Sequence, residues 1–332
     1  MKRNSSIIQY RYEGILSDLC ERFIAEKRAL GCSYNGEAKK LREFSKFTLN
    51  FTFPQNTLPQ EVVQAWYVKR PMDSDRNRYA RLALVKLFAE YMQRNGYDAY
   101  IPSKNELGKI QWYYSPYIFT HNEISRFFGA VDSLKLNRHS VSPRRHIIMP
   151  VLFRILYCCG LRVSEATNLL VGDVSLTDGI LTIRESKYGK TRYVPMSAEL
   201  VLICKNYAEK NTVIDGDTFF FRAPDSNQYD TRSIYSIFRE VLWNAGISHG
   251  GRGKGPRVHD FRHTFAVHSL EKLVKEGKEL TTALPLLSAY LGHDDIAATE
   301  RYLRLTSELY PEIISLLDDK YGFIIPKEGG VK

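Results

Sequence analysis

The first third of the chain places apolar residues at the spacing of amphipathic helices. Leu16, Leu19 and Phe23 recur three or four positions apart, so they share one face of a helix. The same periodicity predicts helices over Tyr12–Leu30, Ser33–Thr48, Pro59–Arg70 and Asp73–Arg94. In the last of these, the residues expected to face a core are Leu82, Val85, Leu87, Phe88 and Tyr91. The pattern indicates a helical domain.

A stretch without strong periodicity follows, from Tyr97 to Ser115, with Pro102, Gly108 and Pro116 in or beside it. Proline and glycine at this density interrupt regular structure and are typical of a linker. We therefore expect a helical domain over residues 1–110, a linker over 111–117 and a second domain over 118–332.

The second domain alternates helical and strand patterns. Helices are predicted over Thr120–Val131, Arg145–Cys158, with Gly160 ending it, and Val163–Leu170, and later over 197–209, 231–245, 259–277, 281–291 and 296–306. Between them, Gly179–Glu185 and Thr191–Met196 are β-type runs separated by a basic segment, which predicts a hairpin. The fold class expected is mostly α with a small antiparallel β-sheet.

Charge favours acidic partners. The 332 residues contain 47 Lys and Arg against 37 Asp and Glu, a formal net charge of +10. Residues 1–110 carry 19 basic against 12 acidic side chains, so +7 of the excess lies there. The fourth predicted helix presents a basic set, Arg76, Arg78, Arg81 and Lys86. Alone it is as well explained by a solvated face, but within so basic a segment we expect phosphate contact.

Two other classes of protein are disfavoured: membrane or secreted proteins, and proteins held together by disulfides or a zinc ribbon. The most apolar stretch, His146–Leu161, contains Arg154 and is shorter than the roughly 20 residues of a transmembrane helix. Arg11 and Glu13 arrive before a signal core could form, so we expect a cytoplasmic, nucleoid-associated protein. The five cysteines, odd in number and without Cys-x-x-Cys spacing, do not indicate a disulfide framework or a zinc ribbon. We interpret all five as buried thiols.

Arg162 lies just past a helix break in the apolar segment Cys-Gly-Leu-Arg-Val-Ser-Glu, residues 159–165. An arginine in such surroundings needs an anionic partner. One interpretation is an ion pair with Glu165. The other is a guanidinium directed at a phosphate, whose oxygens its planar fork matches two at a time.

A second cluster starts the predicted helix 259–277 with His-Asp-Phe-Arg-His. His259 and Arg262 are three residues apart and project from one face, near a helix N-terminus that favours anions. His259 and His263 have the i, i+4 spacing of zinc helices, but Arg262 between them would repel a cation. We therefore expect a phosphate pocket without metal, and His263 in a structural role.

A third cluster is Leu-Gly-His-Asp-Asp, residues 291–295, followed by Tyr302. Gly292 ends one helix, His293 lies in the turn, and Asp294 or Asp295 can cap the next helix. By itself Tyr302 is one of 21 tyrosines and would be assigned to an amphipathic core face.

Together these clusters resemble the tyrosine recombinase (phage integrase) family. Order and spacing match over residues 118–306, through Arg162, His259-x-x-Arg262, Leu-Gly-His293 and Tyr302. The resemblance adds Lys187, on the hairpin tip before the Arg-Tyr-Val-Pro strand, as catalytic lysine, with Lys190 a competitor for the role. It also implies the fold: a helical N-terminal core-binding domain and a mixed α/β catalytic domain.

The resemblance further implies site-specific recombination through a 3′-phosphotyrosine intermediate on Tyr302, without metal, ATP or other cofactor. Arg162, Arg262 and His293 would stabilise the phosphate, His259 would take the phenolic proton, and Lys187 would protonate the leaving oxygen. The partners implied are a specific duplex DNA site, three further copies in a homotetramer, accessory DNA-bending proteins and no membrane. Further DNA contacts are expected from Lys190 and, in the Gly-rich loop 249–254, from Arg252 and Lys254.

Three questions stay open at this level. The apolar tail after Tyr302 either docks on a neighbouring protomer or folds back on its own domain. A catalytically idle DNA-binding regulator on the same fold is one alternative function. A type IB topoisomerase, which shares the chemistry, is the other.

Overall fold

The structure is a computed structural model. It describes residues 7–31, 33–71, 73–103, 106, 116–136, 142–184, 191–211, 216–223, 228–251 and 255–292. The chain divides into two compact units, residues 1–114 and 115–332, and the division falls inside the segment 111–117 expected to be a linker.

The described part of the first unit is helical. Its helices are α1 (Ser17–Ala29), α2 (Asn35–Thr48), α3 (Gln60–Tyr67) and α4 (Asp75–Arg94). Helix α1 begins five residues later than the periodicity predicted. Gly14 has a φ of +80°, and a Cβ there would lie 3.0 Å from the Leu49 side chain, so the chain turns tightly before the helix.

One apolar core holds these helices together. It buries Leu16, Leu19, Phe23 and Phe88, as the periodicity predicted. The prediction for Leu87 was wrong, because its side chain is 45% exposed. Each helical residue advances by about 100°, so a position two residues after buried Val85 points away from the core.

The second unit contains more helices and a small sheet among its described residues. The helices are α5 (His121–Asp132), α6 (Arg145–Cys158), α7 (Val163–Thr167), α8 (Ala198–Asn211), α9 (Thr231–Asn244), α10 (Asp260–Lys275) and α11 (Leu280–Leu291). The strands are β1 (Val174–Ser175), β2 (Ile180–Ile183) and β3 (Arg192–Pro195). The fold class is therefore mostly helical with a small antiparallel sheet, as predicted.

The sheet has the order β1-β2-β3 with both pairs antiparallel. Leu181 pairs with Val194 and Ile183 with Arg192, so the predicted hairpin is confirmed and residues 185–190 connect its two strands. Leu181, Ile183 and Val194 are buried, because alternate residues of a strand point to the same face. Arg192 shares that inward face with Val194.

Aromatic side chains fix the position of α10. Phe261 is fully buried, and its ring lies 5.0 Å from that of Phe127 on α5 and 5.6 Å from that of Phe238 on α9. Such edge-to-face pairs add to the large apolar area that each ring buries. The start of α10, which carries two candidate catalytic residues, is therefore anchored from several sides.

The cysteine prediction was wrong at one position. Cys20, Cys159 and Cys204 are buried, but Cys158 is exposed. Cys158 is the last residue of α6 and its neighbour points inward, so Cys158 is directed to the surface. Cys32 lies outside the described residues. Among the described helices, none combines the length and the apolar character needed to cross a bilayer.

Candidate active site

Arg162 is placed by a glycine turn between α6 and α7. Gly160 has a φ of +59°, and a Cβ there would approach the Phe265 ring to 2.5 Å and the Leu291 side chain to 2.9 Å. Only glycine fits both the conformation and the space. The chain then turns so that Arg162 directly precedes α7, with 29% of its side chain exposed.

Glu165 is the centre of the site. Its carboxylate accepts hydrogen bonds from the Arg162 backbone N–H at 2.8 Å and from Arg162 Nη1 at 2.7 Å. Arg192 donates to both oxygens, from Nη1 at 3.0 Å and from Nη2 at 2.8 Å. Burial alone would raise the pKa of Glu165, but the bonds from Arg192 and Arg162 outweigh it and lower the pKa to about 2. The carboxylate is therefore ionised at neutral pH.

Arg262 lies beneath this carboxylate and is only 2% exposed. Its Nη1 donates to the Gly160 carbonyl at 2.8 Å and lies 4.0 Å from a Glu165 oxygen. Its Nη2 donates to the Leu291 carbonyl at 2.7 Å. The predicted ion pair between Arg162 and Glu165 is therefore confirmed, and the contact of Arg162 with a phosphate stays a prediction.

His259 directly precedes α10, and its ring packs edge-on against His263 at 5.0 Å. Desolvation by the surrounding protein and the charges of Arg262 and Arg162 lower the pKa of His259 to about 4, although Glu165 opposes them. The imidazole is therefore neutral at physiological pH and can accept a proton.

The described structure brings together Arg162, His259 and Arg262 around Glu165. The other predicted site residues, Lys187, Lys190, Arg252, Lys254, His293 and Tyr302, lie outside the described residues. In sequence, Lys187 and Lys190 fall in the connection between β2 and β3, and His293 directly follows the end of α11 at Gly292.

Arg192 was not among the site residues predicted from the sequence. Its side chain is 11% exposed, bonds both oxygens of Glu165 and also donates from Nε to the Tyr290 carbonyl at 3.2 Å. A signal was present: strand periodicity places residue 192 on the same face as Val194. An arginine on a buried strand face requires an anionic partner.

The four basic residues predicted on α4 differ in exposure and in their partners. Arg81 is a correction to the predicted phosphate contacts. It is 5% exposed, forms an ion pair with Asp73 at 2.5 Å and donates to the Trp66 carbonyl at 2.7 Å, so its charge is used inside the unit. Arg78 is half-buried and stacks on Tyr67 at 3.9 Å. Arg76 is exposed, and Lys86 is partly buried with its Nζ 3.9 Å from Glu90.

One group among the described residues has a metal-ligand composition: His121, His268 and Glu271. The two imidazoles are stacked at 4.1 Å with only 27° between their planes. Ring nitrogens bind metals in the ring plane, so nearly parallel rings do not converge on one ion. The two oxygens of Glu271 already have partners, since Oε1 bonds Lys275 at 2.6 Å and Oε2 lies 3.2 Å from His121 Nε2.

Comparisons with known proteins identify the family of this chain. The sequence model of the phage integrase family matches residues 118–308. A putative integrase/recombinase, y4rB of Sinorhizobium fredii, is 29% identical over 306 residues, covering 91% of this chain and 96% of that protein. The tyrosine recombinase XerA of Pyrococcus furiosus is 30% identical over 188 residues, covering 55% of this chain and 60% of that protein.

Solved structures share the fold. The XerH site-specific recombinase, in a post-cleavage complex with its palindromic difH substrate, has a TM-score of 0.58 at 20% identity, covering 81% of this chain and 74% of that one. The Tn1549 transposon integrase, in complex with transposon right-end DNA, has a TM-score of 0.59 at 16% identity, covering 88% and 99%. With the family match extending over more than half of the sequence, this chain belongs to the phage integrase family of tyrosine recombinases.

Proposed function

We propose that this chain is a site-specific DNA recombinase that cuts and rejoins strands through a covalent 3′-phosphotyrosine on Tyr302. The observation that supports the proposal is the cluster around Glu165, where three guanidinium groups meet one carboxylate beside a neutral imidazole. A phosphodiester is the substrate class that such a site suits.

The charge of the cluster fits the reaction. Three arginines, Arg162, Arg192 and Arg262, and one ionised glutamate leave a net charge of +2. A phosphodiester carries −1, and attack by an oxygen nucleophile raises the charge on the phosphorane to −2. The site is thus better matched to the transition state than to the ground state, which is what accelerates a reaction.

The proton transfers follow from the two ends of the reaction. The Tyr302 phenol has an unperturbed pKa of about 10, so it needs a base when it attacks phosphorus. His259, neutral at physiological pH, takes that proton. As the bond from phosphorus to the 5′ oxygen breaks, Lys187 supplies a proton to the leaving oxygen. His293 donates a hydrogen bond to a phosphate oxygen.

The covalent link conserves the energy of the broken bond. One phosphate ester is exchanged for another, and a 5′ hydroxyl of a second strand then displaces the tyrosine. The exchange therefore requires no ATP, and the arginines supply the positive charge that a metal would otherwise provide. We infer that four protomers, guided by a specific duplex and accessory DNA-bending proteins, exchange strands between two sites.

The test is covalent capture. The full chain is incubated with nicked duplexes containing a randomised core, and DNA that stays attached to denatured protein is sequenced at its ends. We expect an enriched sequence with the wild type and with Tyr193→Phe, which removes an exposed phenol from β3 as a matched control. Tyr302→Phe should bind DNA but form no adduct. An undiminished adduct would exclude Tyr302 as nucleophile.

The same material tests the two alternatives. An idle regulator would bind the duplex and give no adduct with the wild type. A type IB topoisomerase would relax supercoiled plasmid lacking the enriched sequence, as a monomer. Separate Lys187→Met and Lys190→Met variants, measured on the enriched duplex, identify the catalytic lysine as the one whose loss slows cleavage.

A further inference from the structure

Arg192 connects three parts of the second unit with one side chain. It starts β3, and its guanidinium bonds both oxygens of Glu165 next to α7. Its Nε donates to the Tyr290 carbonyl near the end of α11. The same side chain packs on Gly292, where a Cβ would lie 3.1 Å from Arg192 Cδ.

Each of these parts adjoins a predicted catalytic residue. Glu165 holds Arg162, the strand start directly follows the connection that contains Lys187, and Gly292 directly precedes His293. The guanidinium of Arg192 is 11% exposed and bonded on two edges, so it is poorly placed to contact DNA itself. Its effect on the reaction must pass through the residues that it holds.

The bidentate pair determines what Arg162 can do. A carboxylate has two oxygens, and a free Glu165 would present both to the fork of Arg162 in the geometry that arginine prefers. With Arg192 bonded to both oxygens, Arg162 reaches Glu165 through Nη1 and its backbone N–H, while part of its side chain stays exposed. The hydrogen bonds from Arg192 to both Glu165 oxygens therefore prevent Arg162 from forming a bidentate pair with Glu165.

We propose that Arg192 is a positioning residue of the recombinase site, which holds Glu165 so that the Arg162 guanidinium remains available to the scissile phosphate, and which ties the β2–β3 hairpin to the end of α11. This inference rests on the proposed function. It predicts that the rate of the chemical step depends on the two parallel hydrogen bonds from the Arg192 guanidinium to Glu165, and not on the charge of Arg192 alone.

Four variants of the full chain separate these contributions. Arg192→Met removes the fork and the charge, leaving a local charge of +1. Arg192→Lys keeps the charge at +2 but cannot bond both oxygens in parallel. The double variant Arg192→Met/Glu165→Gln restores +2 and removes the carboxylate that would compete for Arg162. Because it removes the buried charge together with the partner of that charge, it should fold at least as well as Arg192→Met.

Arg145→Met is the matched control. Arg145 is 15% exposed and bonds both oxygens of Glu240, at 2.6 and 2.9 Å, so the lost interaction has the same form. It lies at the start of α6, whereas the Arg162 turn follows the end of that helix. Fourteen helical residues span about 21 Å, which removes Arg145 from the site.

The measurements are the single-turnover rate of adduct formation on the captured duplex at saturating protein, the Kd for that duplex, and the melting temperature. Arg192→Met should slow adduct formation by about 100-fold, the typical effect of losing one preorganised donor. Its Kd should change by no more than about threefold, because phosphate contacts over the whole site dominate affinity. Arg192→Lys should be slowed to within about threefold of Arg192→Met.

The double variant should react at least about fivefold faster than Arg192→Met, since Arg162 no longer has a carboxylate to close on. Arg145→Met should lower the melting temperature without slowing the reaction. Full activity of Arg192→Lys would show that charge alone matters and would overturn the proposal. So would a double variant slower than Arg192→Met, or a rate loss in Arg145→Met equal to that of Arg192→Met.

The two proposals fail in different ways. If the wild type gives no adduct with any duplex, the proposed function is wrong, and the role of Arg192 in it falls as well. If the wild type and the control react equally and Arg192→Met also does, the recombinase function stands and only the positioning role is refuted.

Discussion

Replacing Glu165 by glutamine tests the electrostatic account of the site through stability. Glutamine keeps the shape of the side chain but removes the charge that pairs with the arginines. The folded-state pKa of about 2, against 4.5 for an ordinary glutamate, corresponds to about 3 kcal/mol at pH 7, since each pKa unit is worth about 1.4 kcal/mol. The unfolding free energy of the wild type should therefore be higher than that of Glu165→Gln, and this electrostatic contribution is part of the difference.

The sign of the pH dependence is fixed by the direction of the pKa change. A carboxyl with a lowered folded-state pKa stabilises the protein above its unfolded pKa, and the contribution fades as pH falls toward the folded value. At pH 3.5, about 2 kcal/mol of the 3 should remain. The difference between wild type and Glu165→Gln should therefore shrink by about 1 kcal/mol between pH 7 and pH 3.5.

Urea unfolding followed by circular dichroism measures this difference. Because the chain has two units, its two unfolding transitions have to be assigned. Leu19→Ala opens a cavity in the first unit and should shift only the transition of that unit, so the unshifted transition belongs to the second unit, which contains Glu165. Asp230→Asn is the surface control, since its pair with Arg232 is 3.7 Å long and exposed. A difference between wild type and Glu165→Gln that is the same at both pH values would refute the assignment of Glu165 as the ionised centre of the site.

The other predictions concern the base, a glycine and the first unit. With a pKa lowered to about 4, His259 in the free protein stays neutral down to about pH 5, so the second-order rate of adduct formation at limiting protein should be flat from pH 8 to about pH 5.5 and fall below it; a rate that halves near pH 6.5 would contradict this. Gly292→Ala and Gly277→Ala both place alanine at positive φ and should each cost about 1 kcal/mol in thermal unfolding, but only the first has an arginine side chain 3.1 Å away and should slow the reaction; equal rates would refute the close contact. Arg76→Ala should reduce the slope of log Kd against log salt by about one, whereas Arg81→Met should destabilise the first unit by about 3 kcal/mol, more than it changes that slope; the reverse result would restore Arg81 as a phosphate contact.

Periodicity predicted the fold well because most helices here bury one clear face. It placed Arg145–Cys158 with both ends correct, since Gly160 and the apolar run mark the helix plainly. Periodicity placed the start of α1 too early, at Tyr12, because the apolar spacing continues through residues 12–16. These residues precede the helix, since the chain turns at Gly14. A hydrophobic pattern indicates which residues are buried, but it does not distinguish a buried residue that precedes a helix from a buried residue within the helix.

The site was predictable where motif and local geometry coincide. Arg162, His259 and Arg262 were predicted from short motifs in this sequence, and the structure gathers them around Glu165. Arg192 was missed because the strand pattern indicates only that it needs an anionic partner, and its bonding partners lie 27 and 98 residues away in the sequence. Arg81 was misassigned for the same reason: a helical charge stripe does not show which of its members finds a carboxylate.

The two carbonyls held by Arg262 end different helices, Gly160 after α6 and Leu291 at the close of α11. One guanidinium therefore caps the C-terminus of α11 and ties it to the turn after α6, so losing it would weaken the scaffold. A descendant that abandoned catalysis and kept only DNA binding would still be under pressure to retain this arginine. Its presence in a divergent relative is thus poor evidence of activity.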